Sequence, residues 1–317
     1  MIIYIFKRIL IIFPTFLGIT ILVFFISSLM PGGPLELLLS DPHISRDEIE
    51  RQKLAFGLDQ PVPIRYIKWL GSFLGGNLGV SYRTKRQIMG MIMERLPNTL
   101  VLSGTALLLA IITSIPLGVF AASKPYSVRD YFISGAASFL ASTPGFFVGL
   151  VFIYLWVVRL RILPLGGMYD ISKPKTIFVF LRHLLMPAVV LSLSHTGSLT
   201  RYMRGSMMEV LHSDYIRSAR GKGLTRKKVI VFHGLKNAMI PMVTNIGLSL
   251  PLLVSGAVIT EQMFSWPGIG TLMIQSINSR DYPAIMGITS LITVVVLLGN
   301  LLTDVVYGFL DPRISYR

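Results

Sequence analysis

Six apolar stretches set the strongest limit on what this 317-residue chain can fold into. They cover residues 9–30, 98–122, 131–158, 184–200, 240–262 and 284–309. A helix needs about 20 mostly apolar residues to cross a bilayer, and lipid offers no partners for unpaired backbone groups. The sequence therefore predicts an all-α integral membrane protein with six transmembrane helices.

Prolines fall inside several of these stretches, at Pro14, Pro116, Pro144, Pro187 and Pro251. Helices in lipid tolerate proline where neighbouring helices satisfy the freed backbone groups. The pattern therefore favours a packed bundle over isolated membrane anchors.

The charge composition agrees with a membrane protein. Charged residues make up 14% of the chain, compared with about 25% in soluble domains. The net charge of +15 is typical of membrane proteins that contact anionic lipid headgroups, so nucleic acid is not an expected partner. The chain has no cysteine, which excludes disulfides and cysteine nucleophiles.

A polar segment, residues 31–97, separates the first two stretches and contains nine Lys/Arg and seven Asp/Glu residues. It predicts a large extracytoplasmic insert that follows the first transmembrane helix within a region 1–97. Residues 98–317 then form a five-helix core. Near the end of the insert, YIKWLGSFLGGNLG is amphipathic and aromatic, which suits a membrane interface.

The distribution of Lys and Arg predicts the orientation of the chain. With the N-terminus inside, the inner loops and termini hold 15 Lys/Arg and the short outer loops hold six. Cytoplasmic loops carry the excess of basic residues, so both termini are expected in the cytoplasm. The first stretch lacks a convincing cleavage site and is interpreted as a retained anchor.

Residues 201–240 contain nine Lys/Arg and cannot cross the bilayer, so they form a cytoplasmic loop. In a helix, Ile216, Ala219 and Gly223 would share one smooth face that another protein's groove could approach. The flanking cations could then pair with acidic groups at the rim of that groove. Thr225 is a plausible N-cap of a second helix. An alternative interpretation is a basic loop held against anionic lipid.

Two strings within this loop carry a family resemblance: DYIRSARGKGL at residues 214–224 and HGLKNAMIP at residues 233–241. They resemble the cytoplasmic coupling loop of permease subunits in binding-protein-dependent ABC importers of the dipeptide, oligopeptide and nickel branch. The general motif begins Glu-Ala-Ala and has a later glycine. Here Arg217 and Ser218 replace the first two residues, whereas Ala219 and Gly223 match the motif. The resemblance implies an ATPase-contacting helix comprising Tyr215, Ile216, Arg217, Ala219, Arg220, Lys222, Gly223 and Leu224.

Two more stretches resemble the same branch. Residues 57–82 are similar to the insert of the first, B-type permease of these pairs, with Asn77 where aspartate is frequent. Residues 261–270, EQMFSWPGIG, resemble the element that follows the fifth span. The resemblance implies the type I importer permease fold and four partners: a second permease, two ATPase subunits and an extracytoplasmic binding protein. The expected location is the prokaryotic cytoplasmic membrane. The insert would dock the binding protein or close the outer mouth.

Motifs for independent chemistry are missing from the sequence. It has no G-x-x-x-x-G-K-[ST] loop, H-E-x-x-H pair or G-x-S-x-G elbow. The chain is therefore not expected to be an enzyme or to hold a cofactor or metal, and ATP and Mg would be bound by partner subunits. The ionisable residues within or near spans are His195, Glu261 and Asp304. The two carboxylates are interpreted as interfacial and His195 as a hydrogen-bonded bundle residue.

A polar stripe in the fifth stretch is a candidate lining for the passage. Asn245, Ser249, Gly256 and Thr260 fall within about 60° when projected at 100° per residue. Such stripes also mediate helix packing, and both roles remain open. The predicted function is half of a passage for di- or oligopeptides. A nickel or other small-solute importer of this family is an alternative, and an ion-coupled carrier or channel is an alternative of another class.

Overall fold

The computed structural model describes residues 2–29, 51, 59–170 and 174–310. Apart from one isolated bridge between Val80 and Gln87, the regular structure of these residues is helical. The α-helices are α1 (Ile2–Leu29), α2 (Val62–Leu74), α3 (Ile88–Ala122), α4 (Val128–Ser142), α5 (Gly145–Phe152), α6 (Ile177–Leu211), α7 (Asp214–Gly221), α8 (Arg226–Lys228), α9 (Lys236–Met263), α10 (Ile269–Asn278) and α11 (Tyr282–Leu310). Two π-helical segments, Ile153–Arg159 and Val229–Leu235, continue α5 and α8.

Several of these helices can cross a membrane. Within the described residues, α1, α3, α6 and α11 are long and apolar enough, and α4 with α5 and its π-helical continuation is a bent pair that could form one more span. Helix α9 covers the expected fifth stretch with 28 residues, or about 42 Å at 1.5 Å per residue. The arrangement is all-α and compatible with six spans.

The third expected span, residues 131–158, is not one helix. Helix α4 ends at Ser142, α5 begins at Gly145, and their axes differ by 101°. Proline disfavours helical backbone in the residue before it, and Thr143 is accordingly extended, with φ −81° and ψ 128°. Pro144 therefore separates two helices, whereas Pro14 and Pro187 lie inside helices.

The fourth expected span, residues 184–200, is shorter than the helix that contains it. Helix α6 runs for 35 residues, from Ile177 to Leu211, with Pro187 inside it. Its polar residues Ser192, Thr196 and Thr200 are buried. The polarity that shortened the predicted span therefore reflects packing inside the protein and not the end of a helix.

The described residues form two compact units. One comprises residues 99–170, 174–266 and 299–310. Its core includes Leu102, Leu184 and Trp266 in one cluster and Leu199, Met203 and Met242 in another. Helix α6 contributes to both clusters and is the central element of this unit.

The second unit comprises residues 2–29, 51, 59–98 and 267–298. Residues 59–97 of the expected insert belong to it, whereas residues 31–50 and 52–58 lie outside the described residues. Helix α2 lies antiparallel along α1, since Phe24 contacts Tyr66 (ring centroids 5.4 Å apart) and Phe16 contacts Phe73 (5.5 Å). This amphipathic part of the insert therefore packs against the side of the first span.

The turn before α3 is anchored within the second unit. Asp281, which is buried, accepts hydrogen bonds from the Ser81 hydroxyl and from the Tyr82 N–H (3.1 Å). Burial raises the pKa of Tyr82 to about 12, with Arg65 lowering it and Asp281 raising it. The phenol therefore stays neutral at physiological pH, and this anchor does not depend on its ionisation.

Candidate coupling site and passage

The predicted coupling segment forms a separate helix, α7, which follows α6 after two residues. Ser213 occupies the N-cap position with extended backbone, Asp214 is in the first turn and Arg220 in the last. Both charges are favourable for the helix dipole. Asp214 and Arg217 lie 3.4 Å apart, but both side chains are exposed, so this pair adds little stability.

Two residues of the predicted contact face point into the protein itself. Ile216 is fully buried and Ala219 is 8% exposed; both cluster with Val229, with Val210 and Leu211 packed alongside. Ile216 and Ala219 share one helical face as predicted, but that face is buried inside the chain and is not an open surface; the contact of this helix with an ATPase subunit stays a prediction. The two side chains hold α7 to the end of α6.

Gly223 does not lie on the helix with Ile216 and Ala219. The helix ends at Gly221, and Gly223 has φ +79°, the left-handed conformation that favours glycine. Its N–H donates to Arg220 O (3.0 Å), and the Lys222 N–H donates to Ser218 O (3.1 Å). Gly223 therefore terminates α7, as glycine does at many helix ends.

The exposed side of α7 is strongly basic. Arg217, Arg220 and Lys222 are exposed, as are Tyr215 and Leu224. Thr225 is at the N-cap position of α8 as predicted, although its side chain makes no capping bond. The cations of α8 are also exposed. The name basic surface is used below for the set Arg217, Arg220, Lys222, Arg226, Lys227 and Lys228.

The predicted passage stripe lies on α9, but its members differ in exposure. Asn245 and Ser249 are half-buried, and each bonds to its own helix: Asn245 to Pro241 O (2.9 Å) and Ser249 to Asn245 O (2.8 Å). Thr260 is buried, and Gly256 lies in the same helix. Asn245 and Ser249 are therefore better placed than Thr260 to line a passage.

The Glu261 carboxylate is buried inside the protein and is not open to water, as an interfacial carboxylate was expected to be. Its side chain is 0% exposed and accepts a hydrogen bond of 2.6 Å from the Thr99 hydroxyl. Close by in sequence, the Phe264 carbonyl accepts a bond from the Gly167 N–H (2.8 Å). The stretch that begins at Glu261 therefore ties helix α9 to other parts of its unit. His195 and Asp304, the other ionisable candidates, are both half-buried.

Sequence reasoning missed an ion pair in the same unit as α7. Asp130, at the start of α4, is 1% exposed and lies 2.5 Å from Arg204 of α6. The two residues are 74 positions apart, so no local spacing indicates their contact. The only sequence signal is a carboxylate and a guanidinium that each lie just beyond the end of a predicted span.

Two solved ABC transporters contain a chain with a similar fold. A chain of the MetNI methionine ABC transporter, solved in an inward-facing conformation, matches with a TM-score of 0.59 over 71% of this chain and 98% of that chain. An amino acid ABC transporter matches with a TM-score of 0.51 over 69% of this chain and 94% of that one. The identities are 16% and 15%, so these matches concern the type I importer permease fold alone.

The sequence comparisons are more specific. Residues 114–316 match the model of the binding-protein-dependent transport system inner membrane component, and residues 1–103 match that of its N-terminal region. The oligopeptide transport system permease protein AppB of Bacillus subtilis (strain 168) is 42% identical, over 99% of both chains. The dipeptide transport system permease protein DppB of Escherichia coli (strain K12) is 36% identical, also over 99% of both.

The chain therefore belongs to the family of binding-protein-dependent transport system inner membrane components, and it is a multi-pass membrane protein. In general terms, membership implies a partner permease, ATPase subunits and a substrate-binding protein.

Proposed function

We propose that this chain is one permease subunit of a peptide importer in a prokaryotic cytoplasmic membrane. It pairs with a second permease, and the two enclose a passage for di- or oligopeptides. The relatives named for oligopeptide and dipeptide transport support peptide as the cargo in preference to nickel. Both termini and the basic surface face the cytoplasm in this proposal.

The observation that carries the proposal is the basic surface on α7 and α8. Its cations are exposed on a short helix that is itself fixed to the end of α6 by Ile216 and Ala219. A positively charged surface on a helix of fixed position is suited to bind a partner's groove that has acidic residues at its rim. The proposed partners are two ATPase subunits, which bind ATP and Mg, since the sequence of this chain lacks the G-x-x-x-x-G-K-[ST] loop.

Transport then follows from movement of α7. ATP-driven closure of the ATPase subunits displaces α7, and the helices alternate between inward and outward openings by rigid-body motion. The half-buried polar groups of Asn245 and Ser249 line the passage between the paired permeases. A separate extracytoplasmic binding protein supplies selectivity, so an uncharged polar lining is sufficient.

The test is purification of the tagged chain from its native membrane in mild detergent, followed by mass spectrometry and a peptide-uptake assay. The second permease and the ATPase subunits should be recovered with the chain. In the double variant Arg217→Glu, Arg220→Glu, recovery of the ATPase subunits should fall at least tenfold, because like charges then face each other. Membrane insertion and recovery of the second permease should be unchanged.

A matched control reverses two exposed cations in the insert, Arg83→Glu and Lys85→Glu. This control should keep the ATPase subunits. Equal ATPase recovery with both double variants would refute the role of the basic surface. A chain that transports without any ATPase partner would favour the carrier or channel class.

A further inference from the structure

One carboxylate in the first unit is held by an unusual number of donors. Asp130 accepts hydrogen bonds from Arg204 Nε (2.5 Å) and Nη2 (2.6 Å), from the Tyr126 N–H (2.9 Å) and from the Ser134 hydroxyl (3.1 Å). Forked arginine–carboxylate pairs are directional as well as strong. The start of α4 is therefore fixed in distance and orientation relative to α6.

Arg204 belongs to the same helix that receives α7. It precedes Leu211, the last residue of α6, by seven positions, which is about two turns or 10 Å of continuous helix. Ile216 and Ala219 of α7 pack on Val210 and Leu211 in that last turn. One continuous helix therefore connects the residues that hold α7 with Arg204.

Three further contacts involve α4 or the turn before it. A Cβ atom at Gly197 of α6 would lie 2.4 Å from Ala137 O, so the backbones of α6 and α4 are in direct contact there. In the turn before α4, the Ser123 carbonyl accepts a bond from Arg226 of α8, and the Ser123 hydroxyl accepts one from Arg129 (2.7 Å). The Asp130–Arg204 pair is the member of this set in which both partners are charged.

We propose that the Asp130–Arg204 pair is the positioning contact that makes α4 follow the movement of α7. Apolar helix contacts can slide past each other, whereas a forked ion pair resists both separation and rotation. Helix α4 is the first half of the bent helix pair that it forms with α5. The Asp130–Arg204 ion pair therefore connects the basic surface, through α6, to the bent helix pair. The inference rests on the proposed function, in which ATPase subunits move α7.

The experiment uses the full complex in proteoliposomes, with ATP hydrolysis and peptide uptake measured together. Asp130→Asn keeps the shape but removes the charge, and Arg204→Lys keeps the charge but removes the fork. Both complexes should assemble and hydrolyse ATP within about twofold of the unmodified rate. Uptake per ATP should fall at least tenfold for Asp130→Asn and to an intermediate value for Arg204→Lys. Arg201→Lys, an exposed neighbour on α6, is the matched control and should change neither quantity.

A second readout follows the movement itself. The chain has no cysteine, so single cysteines can be placed at Ser218 on α7 and at Val128, 87% exposed at the start of α4. In the unmodified complex, ATP should change the maleimide labelling of both positions. With Asp130→Asn, ATP should change labelling at position 218 but not at position 128.

The outcomes separate this inference from the proposed function. Retained uptake per ATP in Asp130→Asn, or retained ATP-dependent labelling at position 128, would overturn the role of the pair. Failure of both Asp130→Asn and Arg204→Lys to assemble would overturn it too, because the pair would then be a static anchor. Failure of the unmodified complex to couple uptake to ATP would instead contradict the proposed function.

Discussion

We expect the protein to be sensitive to substitution of Thr99, because the Thr99 hydroxyl donates a hydrogen bond to a fully buried carboxylate. In Thr99→Val, the Glu261 carboxylate, which is 0% exposed, loses the 2.6 Å hydrogen bond from Thr99. Leaving a buried polar group with one partner fewer costs about 1–3 kcal/mol. The free energy of unfolding in detergent should fall by that amount. Thr15→Val is the control, because Thr15 is exposed and its hydroxyl donates to Ile11 O of its own helix; an equal loss in both variants would contradict the prediction.

At Gly223, the backbone conformation restricts substitution more than the room for a side chain does. A Cβ atom there would meet nothing within 4 Å, but φ is +79°, which costs about 1–2 kcal/mol for ordinary residues. Asparagine tolerates this conformation and β-branched residues do not. Uptake should therefore be lost in Gly223→Val, because the end of α7 and the direction of α8 change, and largely kept in Gly223→Asn. Similar uptake by the two variants would show that the left-handed conformation is not needed.

Two residues of α7, Ile216 and Ala219, show what the sequence can and cannot predict about a site. The spacing of Ile216 and Ala219 correctly indicated a helix with one special face. Whether that face meets a partner or the protein itself depends on Val210 and Val229, whose positions follow from tertiary structure. Local sequence has no signal for that choice, nor for the contact between Asp130 and Arg204.

At the scale of helices, close contact between α4 and α6 depends on Gly197. Gly197→Ala would place a Cβ atom 2.4 Å from Ala137 O and 2.8 Å from the Ala141 N atom, both of them backbone atoms that cannot move aside cheaply. Overpacking of this kind costs about 1–3 kcal/mol. The thermal stability of the purified protein should fall accordingly.

Gly205 provides the matched control on the same helix. A Cβ atom there meets nothing within 4 Å, and alanine is favoured over glycine inside a helix by roughly 0.5–1 kcal/mol. Gly205→Ala should therefore be neutral or stabilising. A loss of stability in Gly205→Ala as large as that in Gly197→Ala would mean that the close approach of the two helices is not the cause.

Hydropathy predicted the helical class of the molecule but not the course of every helix. The apolar stretches lie in α1, α3, α4 with α5, α6, α9 and α11 because each must keep its backbone bonds within itself in lipid. The bend at Pro144 escaped prediction because Pro187 and Pro14 are accommodated inside helices, and the local sequence alone does not separate these cases. The packing of α2 along α1 depends on aromatic contacts between residues far apart in sequence, Phe24 with Tyr66 and Phe16 with Phe73, which no short-range pattern records.

The orientation of the whole molecule is a prediction that its lack of cysteine makes easy to measure. Single cysteines at Ser218 on α7 and at Asn278 at the end of α10 should lie on opposite sides of the membrane, since Lys and Arg concentrate in the loop that contains α7. A membrane-impermeant maleimide applied to intact spheroplasts should label position 278 and leave position 218 unlabelled until the cells are lysed. Both positions are exposed, so protection by the fold does not explain a difference. Labelling of position 218 in intact cells would place the basic surface outside, where no ATPase could reach it, and the proposed mechanism would fail with it.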